Sequence, residues 1–176
     1  MSQINFESEL IKIGNVNLIN IPLDSSKKLP SRGMTLVNAT INNYEFTAAL
    51  EPDGNKSHWI RVDNKLQEAT NLKVGNKVKV SIEPSKDWPE PNIPKDLSEA
   101  LKKDNQAREL WDKITPMARW DWIRWIGSTK QAETRKRRIE VACSKLRQGD
   151  RRPCCFNRTV CTDPTVSKNG VLIGIN

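Results

Sequence analysis

The spacing of apolar residues changes at a proline-rich stretch, and this change limits the folds that the chain can adopt. Before the stretch, polar and apolar residues alternate, as in Lys77 to Ile82 (KVKVSI), which is the period of a half-buried β-strand. After it, apolar residues recur every three or four positions, as in 139–146, which is the period of a helix. Four prolines within 84–94 separate the two patterns. The sequence therefore predicts an α+β protein with strands first and helices second.

The first half contains segments that predict five or six short strands with tight turns. Asn42-Asn43 tolerates positive φ and fits a two-residue hairpin, and Pro52 to Asn55 is a strong turn signal. A barrel or a sandwich fits this pattern, and a small antiparallel β-barrel is favoured because closure removes unpaired sheet edges. The candidate strands are Ile4 to Ile13, Val16 to Ile21, Met34 to Ile41, Tyr44 to Leu50, His58 to Val62 and Lys77 to Ile82.

The second half carries the start and stop signals of helices. Thr115-Pro116 is a helix cap followed by proline at the first helical position, and Gly127 and Gly149 are stop signals. The predicted organisation is a small β-barrel domain at 1–85, a proline-rich linker at 86–95, a C-terminal helical segment at 96–150 and a tail at 151–176. The tail contains Cys154, Cys155 and Cys161.

The chain carries a net charge of +8, and its basic excess is concentrated in one window. Positions 124–158 hold 11 basic and 3 acidic residues. Such a window permits an anionic partner, either a nucleic acid or an acidic surface, and is also typical of a solvated helix face. No apolar run approaches the ~20 residues that cross a bilayer, so we expect no membrane-spanning segment. The first residues lack a basic and apolar leader, which predicts a cytoplasmic protein.

Tryptophan and arginine are interleaved from position 119 onward. This composition is typical of a stacking platform for single-stranded nucleic acid, and also of a helix that buries its tryptophans while arginine heads reach solvent. Burial is favoured for Trp122 and Trp125, because exposing every tryptophan would create a large apolar patch. Glu133, an acid among these bases, is expected to form a partly buried structural ion pair with an arginine. The candidate ligand- or polyanion-binding residues are Arg119, Trp122, Arg124, Trp125, Lys130, Arg135 and Arg138.

The sequence offers no pattern typical of catalysis or metal binding. It has no Gly-x-Ser-x-Gly, no glycine-rich phosphate loop and no His-Glu-x-x-His motif, and His58 is its single histidine. Three cysteines lie within 154–161 in a Cys-Cys-x5-Cys spacing, whereas structural zinc sites usually place two to four residues between paired cysteines. We therefore predict that the protein is not an enzyme and has no catalytic residue, metal site or cofactor. His58 is expected to be a strand side chain.

Two groups of residues resemble known families. Ala39 to Asn42, Phe46 to Leu50 and Val74 to Val80 are similar to a small bacterial domain of unknown function. The residues Trp125-Ile126, Lys130, Glu133-Thr134-Arg135 and Arg138-Ile139 fit the signature W-I-x3-K-x2-E-T-R-x2-R-I, and this part of the chain resembles the YdeI/OmpD-associated family. The resemblance implies a β-barrel with a double-split look and a link to bacteriocin protection, and it implies no enzymatic residues.

The residues and the resemblance together predict a bacterial protein that binds a partner without catalysis, or that protects against stress or a bacteriocin. The alternative is a nucleic-acid-binding protein that uses the basic Trp/Arg helices, and a third hypothesis is an enzyme with an unrecognised small site. The identity of the partner stays unknown from the sequence. A salt titration against DNA, RNA and anionic lipid best separates these hypotheses, because contacts with phosphate weaken as the salt concentration rises.

Overall fold

A computed structural model describes residues 2–154 and 156–174 of the chain. These residues form two compact units. The first unit comprises the chain up to Asp87, together with Arg158–Cys161 and the residues from Thr165 onward. The second comprises Trp88–Asn157 and Thr162–Pro164. Each unit has its own hydrophobic core, so each is described by itself.

The first unit is built on a closed antiparallel β-barrel, which confirms the fold predicted from the alternating pattern. The barrel strands are β1 (Ile4–Ile13), β2 (Val16–Asn20), β3 (Thr35–Ile41), β4 (Tyr44–Pro52), β5 (His58–Val62) and β6 (Lys77–Pro84). Around the barrel they follow the order β1-β2-β5-β4-β3-β6. Two short helices, α1 (Leu23–Ser26) and α2 (Asn64–Thr70), lie in the connections.

The ten-residue strand β1 closes the barrel because its two halves pair with different strands. Ile4 to Glu9 pair with β6, and Leu10 to Ile13 pair with β2. Inside the barrel, alternate residues of neighbouring strands are buried together, as Ala39 is beside Ile82. Burial of apolar side chains stabilises the fold by ~25 cal/mol for each Å² removed from water.

The turn between β3 and β4 has the geometry predicted from the sequence. Asn42 and Asn43 have φ angles of 49° and 62°, so both adopt the left-handed conformation. Two successive residues of this kind form the hairpin turn whose twist matches that of the flanking strands. Asparagine tolerates this conformation better than most residues other than glycine. The predicted two-residue hairpin is therefore confirmed.

The end of the chain adds a small hairpin to the first unit. This hairpin consists of β7 (Ser167–Lys168) and β8 (Val171–Leu172). Leu172 packs with Leu18 and Trp59 in a separate apolar cluster, and its amide donates a hydrogen bond to the Asp53 carbonyl at 2.8 Å. Part of the predicted tail therefore covers an apolar patch on the outer surface of the barrel.

The second unit contains four helices. They are α3 (Lys95–Lys102), α4 (Asn105–Lys113), α5 (Pro116–Gly127) and α6 (Ala132–Arg147). The predicted cap before α5 is confirmed, because the Thr115 hydroxyl accepts a hydrogen bond from the Ala118 amide at 3.2 Å. No helix in the described ranges is both long enough and apolar enough to cross a membrane. The buried residues shared by the four helices include Leu97, Leu101, Trp111, Trp122, Ile139 and Leu146.

The segment that leads into α3 contacts α5 closely. Trp88 packs against Trp120 in an edge-on arrangement, with 6.1 Å between their ring centroids. The Trp120 indole donates a hydrogen bond to the Pro89 carbonyl at 3.0 Å, and Glu90 forms an ion pair with Arg119. Residues 88–90 of the predicted linker are therefore held against a helix of the second unit.

Gly54 provides a test of the contact between the hairpin β7–β8 and the barrel. Its φ is +77°, and a Cβ added there would lie only 1.9 Å from the Gly170 carbonyl oxygen. We expect Gly54→Ala to displace the hairpin. This displacement should lower the free energy of unfolding by about 1–3 kcal/mol, in addition to the cost of placing alanine at a positive φ. The control is Gly75→Ala, because Gly75 also has a positive φ, of +93°, and a Cβ added there would have no neighbouring atom within 4 Å. Urea unfolding measures both variants, and equal losses would contradict a tight hairpin contact.

Candidate functional site

Arg119 holds the C-terminal end of α4 rather than facing solvent as a free cation. Its side chain is only 13% exposed. Nε donates to the Trp111 carbonyl and Nη2 to the Asp112 carbonyl, both at 2.9 Å, and Nη1 pairs with Glu90. The last carbonyls of a helix have no partners within the helix and carry a partial negative charge. The guanidinium therefore supplies hydrogen bonds that α4 itself cannot make.

Arg138 does the same for the C-terminal end of α5. Its Nη1 donates to the Trp125 carbonyl at 2.8 Å and lies 2.7 Å from the Ser128 hydroxyl oxygen. The guanidinium also lies over the Trp125 ring, 5.6 Å from the ring centroid. Arginine suits this position because its planar group can donate hydrogen bonds and stack on an aromatic face at once. Arg138 and half-buried Trp125 therefore fasten α6 to the end of α5.

Arg135 connects α6 to the first turn of α3. Its Nε and Nη2 donate to the two carboxylate oxygens of Asp96 at 2.7 and 3.0 Å, which is the bidentate geometry of a strong ion pair. The hydrogen bond from Arg135 holds the pKa of Asp96 below its ordinary value. Arg147 forms a comparable pair with Asp104, the residue that caps α4. Both acids lie at helix N-terminal ends, where the helix dipole favours negative charge.

Trp122 and Arg124 lie in the interior of the second unit. Trp122 is 1% exposed, and its indole donates to the Arg151 carbonyl at 3.0 Å. Arg124 is 9% exposed and lies 4.0 Å from the buried carboxylate of Asp121. Arg152 approaches the same carboxylate at 3.3 Å. Burial excludes Trp122 and Arg124 from the predicted polyanion-binding surface, and it agrees with the packing role that was favoured for Trp122.

Three exposed cations of this region differ for the most part from the predicted set. Lys130 is exposed, as are Lys136 and Arg137 on α6. None of the three forms an ion pair with any residue that the structure describes. We call these three residues the α6 basic face, although Lys130 lies two positions before α6 begins at Ala132. Only Lys130 belongs to both the predicted set and this face.

Glu133 does not form the expected structural ion pair with any residue that the structure describes. Glu133 is exposed in the first turn of α6 and forms no ion pair within the ranges 2–154 and 156–174. The acid that pairs with an arginine of α6 is Asp96 instead. Helical periodicity gives the direction in which Glu133 points, but the position of α3 decides which residue of α6 meets an opposite charge. The prediction for Glu133 is therefore wrong.

His58 lies at the centre of a buried polar network in the barrel unit. It is 0% exposed, with its Nε2 2.8 Å from the Gly33 carbonyl oxygen and its Nδ1 2.8 Å from the Ser26 hydroxyl oxygen. A carbonyl only accepts, so Nε2 carries the proton and donates, while Nδ1 accepts from Ser26. Arg32 donates to the same hydroxyl at 3.2 Å. Burial lowers the pKa of His58, although the bond to Gly33 opposes this shift.

A groove lies on the outer surface of the barrel, across β1, β6 and β3. It has a volume of about 720 Å³. Strand register places Asn5 opposite Ser81 and Ser81 beside Thr40, and it places Glu7 opposite Lys79. The Ser81 hydroxyl oxygen is buried and has no hydrogen-bond partner among the described residues. The lining residues are Asn5, Phe6, Glu7, Thr40, Asn42, Asn43, Lys79, Val80 and Ser81.

Sequence reasoning did not identify this groove or the Ser26–His58 contact. The alternation in β6 places Lys79 and Ser81 on the outer face, but it does not say which strands flank them. Ser26 and His58 are 32 positions apart, and no local pattern connects them. Both features depend on strand pairing, which is a long-range property of the fold.

The thiols do not assemble a metal site in the part of the chain that the structure describes. Cys143 and Cys161 are buried, and Cys154 is exposed. Burial raises the pKa of the Cys143 thiol. No group of three or more candidate metal ligands occurs among the described residues, and Cys155 lies outside them.

Two family models match parts of this chain. Residues 90–149 match the family described as Bacteriocin-protection, YdeI or OmpD-Associated. Residues 6–82 match a Domain of unknown function (DUF1905). The helical part therefore carries a YdeI/OmpD-associated domain, and the DUF1905 domain forms the six-stranded barrel. Both resemblances noted in the sequence are confirmed.

Other known proteins add little to these matches. No curated protein matches the chain. The solution structure of PHS018 from Pyrococcus horikoshii is similar over 48% of this chain and 94% of that one, with 17% sequence identity and a TM-score of 0.34. A similarity this low supports no inference about the present protein.

The buried histidine predicts a specific dependence of stability on pH. In the unfolded chain a histidine titrates near 6.5, whereas the pKa of His58 in the fold is lower. Below about pH 6.5 the unfolded state therefore binds a proton that the folded state does not, and the free energy of unfolding falls by up to ~1.4 kcal/mol per pH unit. Urea unfolding between about pH 7 and pH 5 measures this loss.

The variant His58→Gln is the control for this prediction. Glutamine keeps one donor and one acceptor but does not titrate, so the slope should become flatter even if the variant is less stable overall. The same pH dependence in both proteins would contradict the assignment of the slope to His58.

Proposed function

We propose that this chain is a non-enzymatic binding protein of the bacterial cytoplasm that contributes to stress or bacteriocin protection. The proposal that the protein is not an enzyme rests on the burial and the hydrogen bonds of its single histidine. His58 is 0% exposed and both ring nitrogens are engaged, so the imidazole can neither reach a substrate nor exchange a proton with one. The protective part rests on the description of the family that the helical domain matches.

The Ser26–His58 pair is the strongest argument for an enzyme, and its surroundings favour a structural role. A serine hydroxyl bonded to an imidazole is the arrangement of a nucleophile and its base. Here, however, Ser26 is also 0% exposed, and Arg32 covers the same hydroxyl. Gly33 fixes the imidazole from the other side. A buried polar group needs such partners for stability alone.

A survival assay tests this proposal with a matched pair of variants. The chain is expressed in a bacterium that is challenged with a bacteriocin, alongside Ser26→Ala and Ser57→Ala. Ser57 is the control because it is also buried and its hydroxyl makes one hydrogen bond, to the Ile21 carbonyl at 2.6 Å. We expect the parent to raise survival over the empty vector, and both variants to protect equally at equal amounts of folded protein.

Two outcomes would contradict the proposal. Equal survival with the parent chain and the empty vector would reject the protective role. Loss of protection in Ser26→Ala alone, at an unchanged level of folded protein, would identify a serine-dependent reaction and reject the non-enzymatic role.

The second candidate function is polyanion binding by the α6 basic face. The observation that favours it is the exposure of three cations without ion pairs among the described residues, namely Lys130, Lys136 and Arg137. Two exposed acids of the same helix, Glu133 and Glu140, reduce the net charge of this surface. The candidate surface is therefore smaller and less basic than the Trp/Arg set predicted from the sequence.

Fluorescence anisotropy with labelled single-stranded DNA, over a range of salt concentrations, tests this candidate. If the three cations contact phosphates, the logarithm of the affinity should fall with that of the salt concentration with a slope of about −2. Binding should be lost when Lys130, Lys136 and Arg137 are all changed to Gln. Lys28, Lys65 and Lys73 changed to Gln provide the control, because these exposed lysines of the barrel unit give the same change in net charge. Equal binding by the two triple variants, or no binding at low salt, would reject this candidate.

A further inference from the structure

We propose that the outer face of β1, β2 and β5 is a docking surface for an apolar peptide segment of another protein, and that residues 165–174 of this chain occupy it as an internal substitute. We call residues 165–174 the tail hairpin, since they contain β7 and β8. The proposal rests on the proposed function, in that the chain is a binding protein. It deepens that function by naming the surface and the chemistry of the partner.

Strands β2 and β5 are apolar on both faces of the sheet. Neighbouring residues of a strand point to opposite faces. Ile19 and Ile60 belong to the core inside the barrel, whereas Leu18 and Trp59 belong to the outer cluster, and all four are 0% exposed. Antiparallel sheets commonly keep one face solvated, as β6 does with its exposed lysines. A contiguous apolar outer face is instead typical of a surface that contacts another segment of chain.

Strand pairing extends this apolar face onto β1. Ile11 pairs with Leu18, and Ile13 pairs with Val16. Ile11, Ile13 and Val16 pack against the outer cluster but are only partly buried. The face is therefore wider than the part that is fully covered, and a segment larger than the tail hairpin would bury more of it.

The tail hairpin shows which chemistry the face accepts. Its Val166 and Leu172 are 0% and 4% exposed and belong to the outer cluster. The Leu172 amide donates to the Asp53 carbonyl at 2.8 Å, and the Ile173 amide donates to the Val166 carbonyl at 2.9 Å. The face therefore accepts two apolar side chains on a backbone that is hydrogen-bonded both to itself and to the barrel. A peptide segment of another protein can present the same groups.

The cover over the face comes from neither of the two matched domains. The family matches end at residues 82 and 149, and the tail hairpin follows both. Its strands have two residues each, and Val171 and Ile173 are exposed on either side of Leu172. A hairpin this short is marginally stable by itself and opens at a low free-energy cost. A partner with more apolar contacts can therefore displace it.

A partner from another protein fits this face better than a second copy of the chain. Two copies that exchanged their tail hairpins would make the same contacts that each copy already makes by itself. They would also lose translational and rotational freedom on association. A different segment can add contacts with Ile11, Ile13 and Val16, which the tail hairpin leaves partly exposed.

Nuclear magnetic resonance of the full ¹⁵N-labelled chain carrying Leu172→Asp, titrated with a synthetic peptide of residues 165–174, tests the proposal. The substitution places a charge in the outer cluster and should release the tail hairpin. We expect saturable shifts of the backbone amides of Ile11, Leu18 and Trp59. The parent chain should bind the peptide at least about tenfold more weakly, because its own tail hairpin competes at a high effective concentration.

Matched variants make the test specific. Val171→Asp adds the same charge at an exposed position of the hairpin, so this variant should bind the peptide like the parent. Gly54→Ala displaces the hairpin from the barrel side and should bind like Leu172→Asp, which keeps the test decisive if Leu172→Asp does not fold. A peptide with Leu172→Asp should not bind, whereas a peptide with Val171→Asp should bind like the unchanged one.

Four outcomes would overturn the proposal. Three of them are no saturable shift in either released variant, equal affinity in the parent and the released variants, and shifts confined to residues outside the face. The fourth is a dimer of the parent in analytical ultracentrifugation that Leu172→Asp abolishes, which would assign the face to a second copy. The survival assay is independent of this titration, so protection of cells without peptide binding would reject the surface and leave the proposed function in place.

Discussion

Burying a polar group is costly unless the group finds a partner in the protein, because burial removes the water that would otherwise satisfy it. This constraint organises both units of the chain. In the barrel unit it connects His58 on β5 to Ser26 and Gly33, which both lie in the connection between β2 and β3. In the helical unit it positions arginines at the carbonyl ends of helices.

The arginines give the sequence a composition typical of a nucleic-acid-binding surface. In the structure, most of them connect helices. Arg119 closes the end of α4, Arg138 closes the end of α5, and Arg135 joins α6 to Asp96 of α3. Arg119 and Arg138 each place a positive charge at the negative, C-terminal end of a helix, whereas Arg135 pairs with a carboxylate. Arg135 and Arg138 also lie in the segment that resembles the signature of the YdeI/OmpD-associated family, and in this chain these two residues connect helices.

Several features of the fold could be predicted because they depend on neighbouring residues. The alternation in KVKVSI indicates a strand, Asn42-Asn43 indicates its turn type, and Thr115-Pro116 indicates a helix start. Other features depend on which distant segments meet. The pairing of β1 with β6 brings lining residues of the groove together, and β1 also pairs with β2. No local sequence pattern predicts which strands pair.

The same distinction explains the outcome for the candidate site. Burial of Trp122 follows from its own chemistry and was favoured from composition. Whether Glu133 or Asp96 forms an ion pair with an arginine of α6 depends on where α3 lies. The spacing of residues within α6 does not give the position of α3. Arg119, Arg135 and Arg138 of the candidate set make contacts that connect helices, and their spacing in the sequence did not indicate these contacts.

If the signature arginines stabilise the helical unit, removing Arg138 should cost more stability than removing its exposed neighbour on α6, Arg137. Arg138→Ala removes a guanidinium that bonds the end of α5 and stacks on Trp125, whereas Arg137→Ala removes an exposed one. Urea unfolding should show a loss of about 1–3 kcal/mol for Arg138→Ala and a change within about 0.5 kcal/mol for Arg137→Ala. Equal stability of the two variants, with polyanion binding lost in Arg138→Ala alone, would contradict the account.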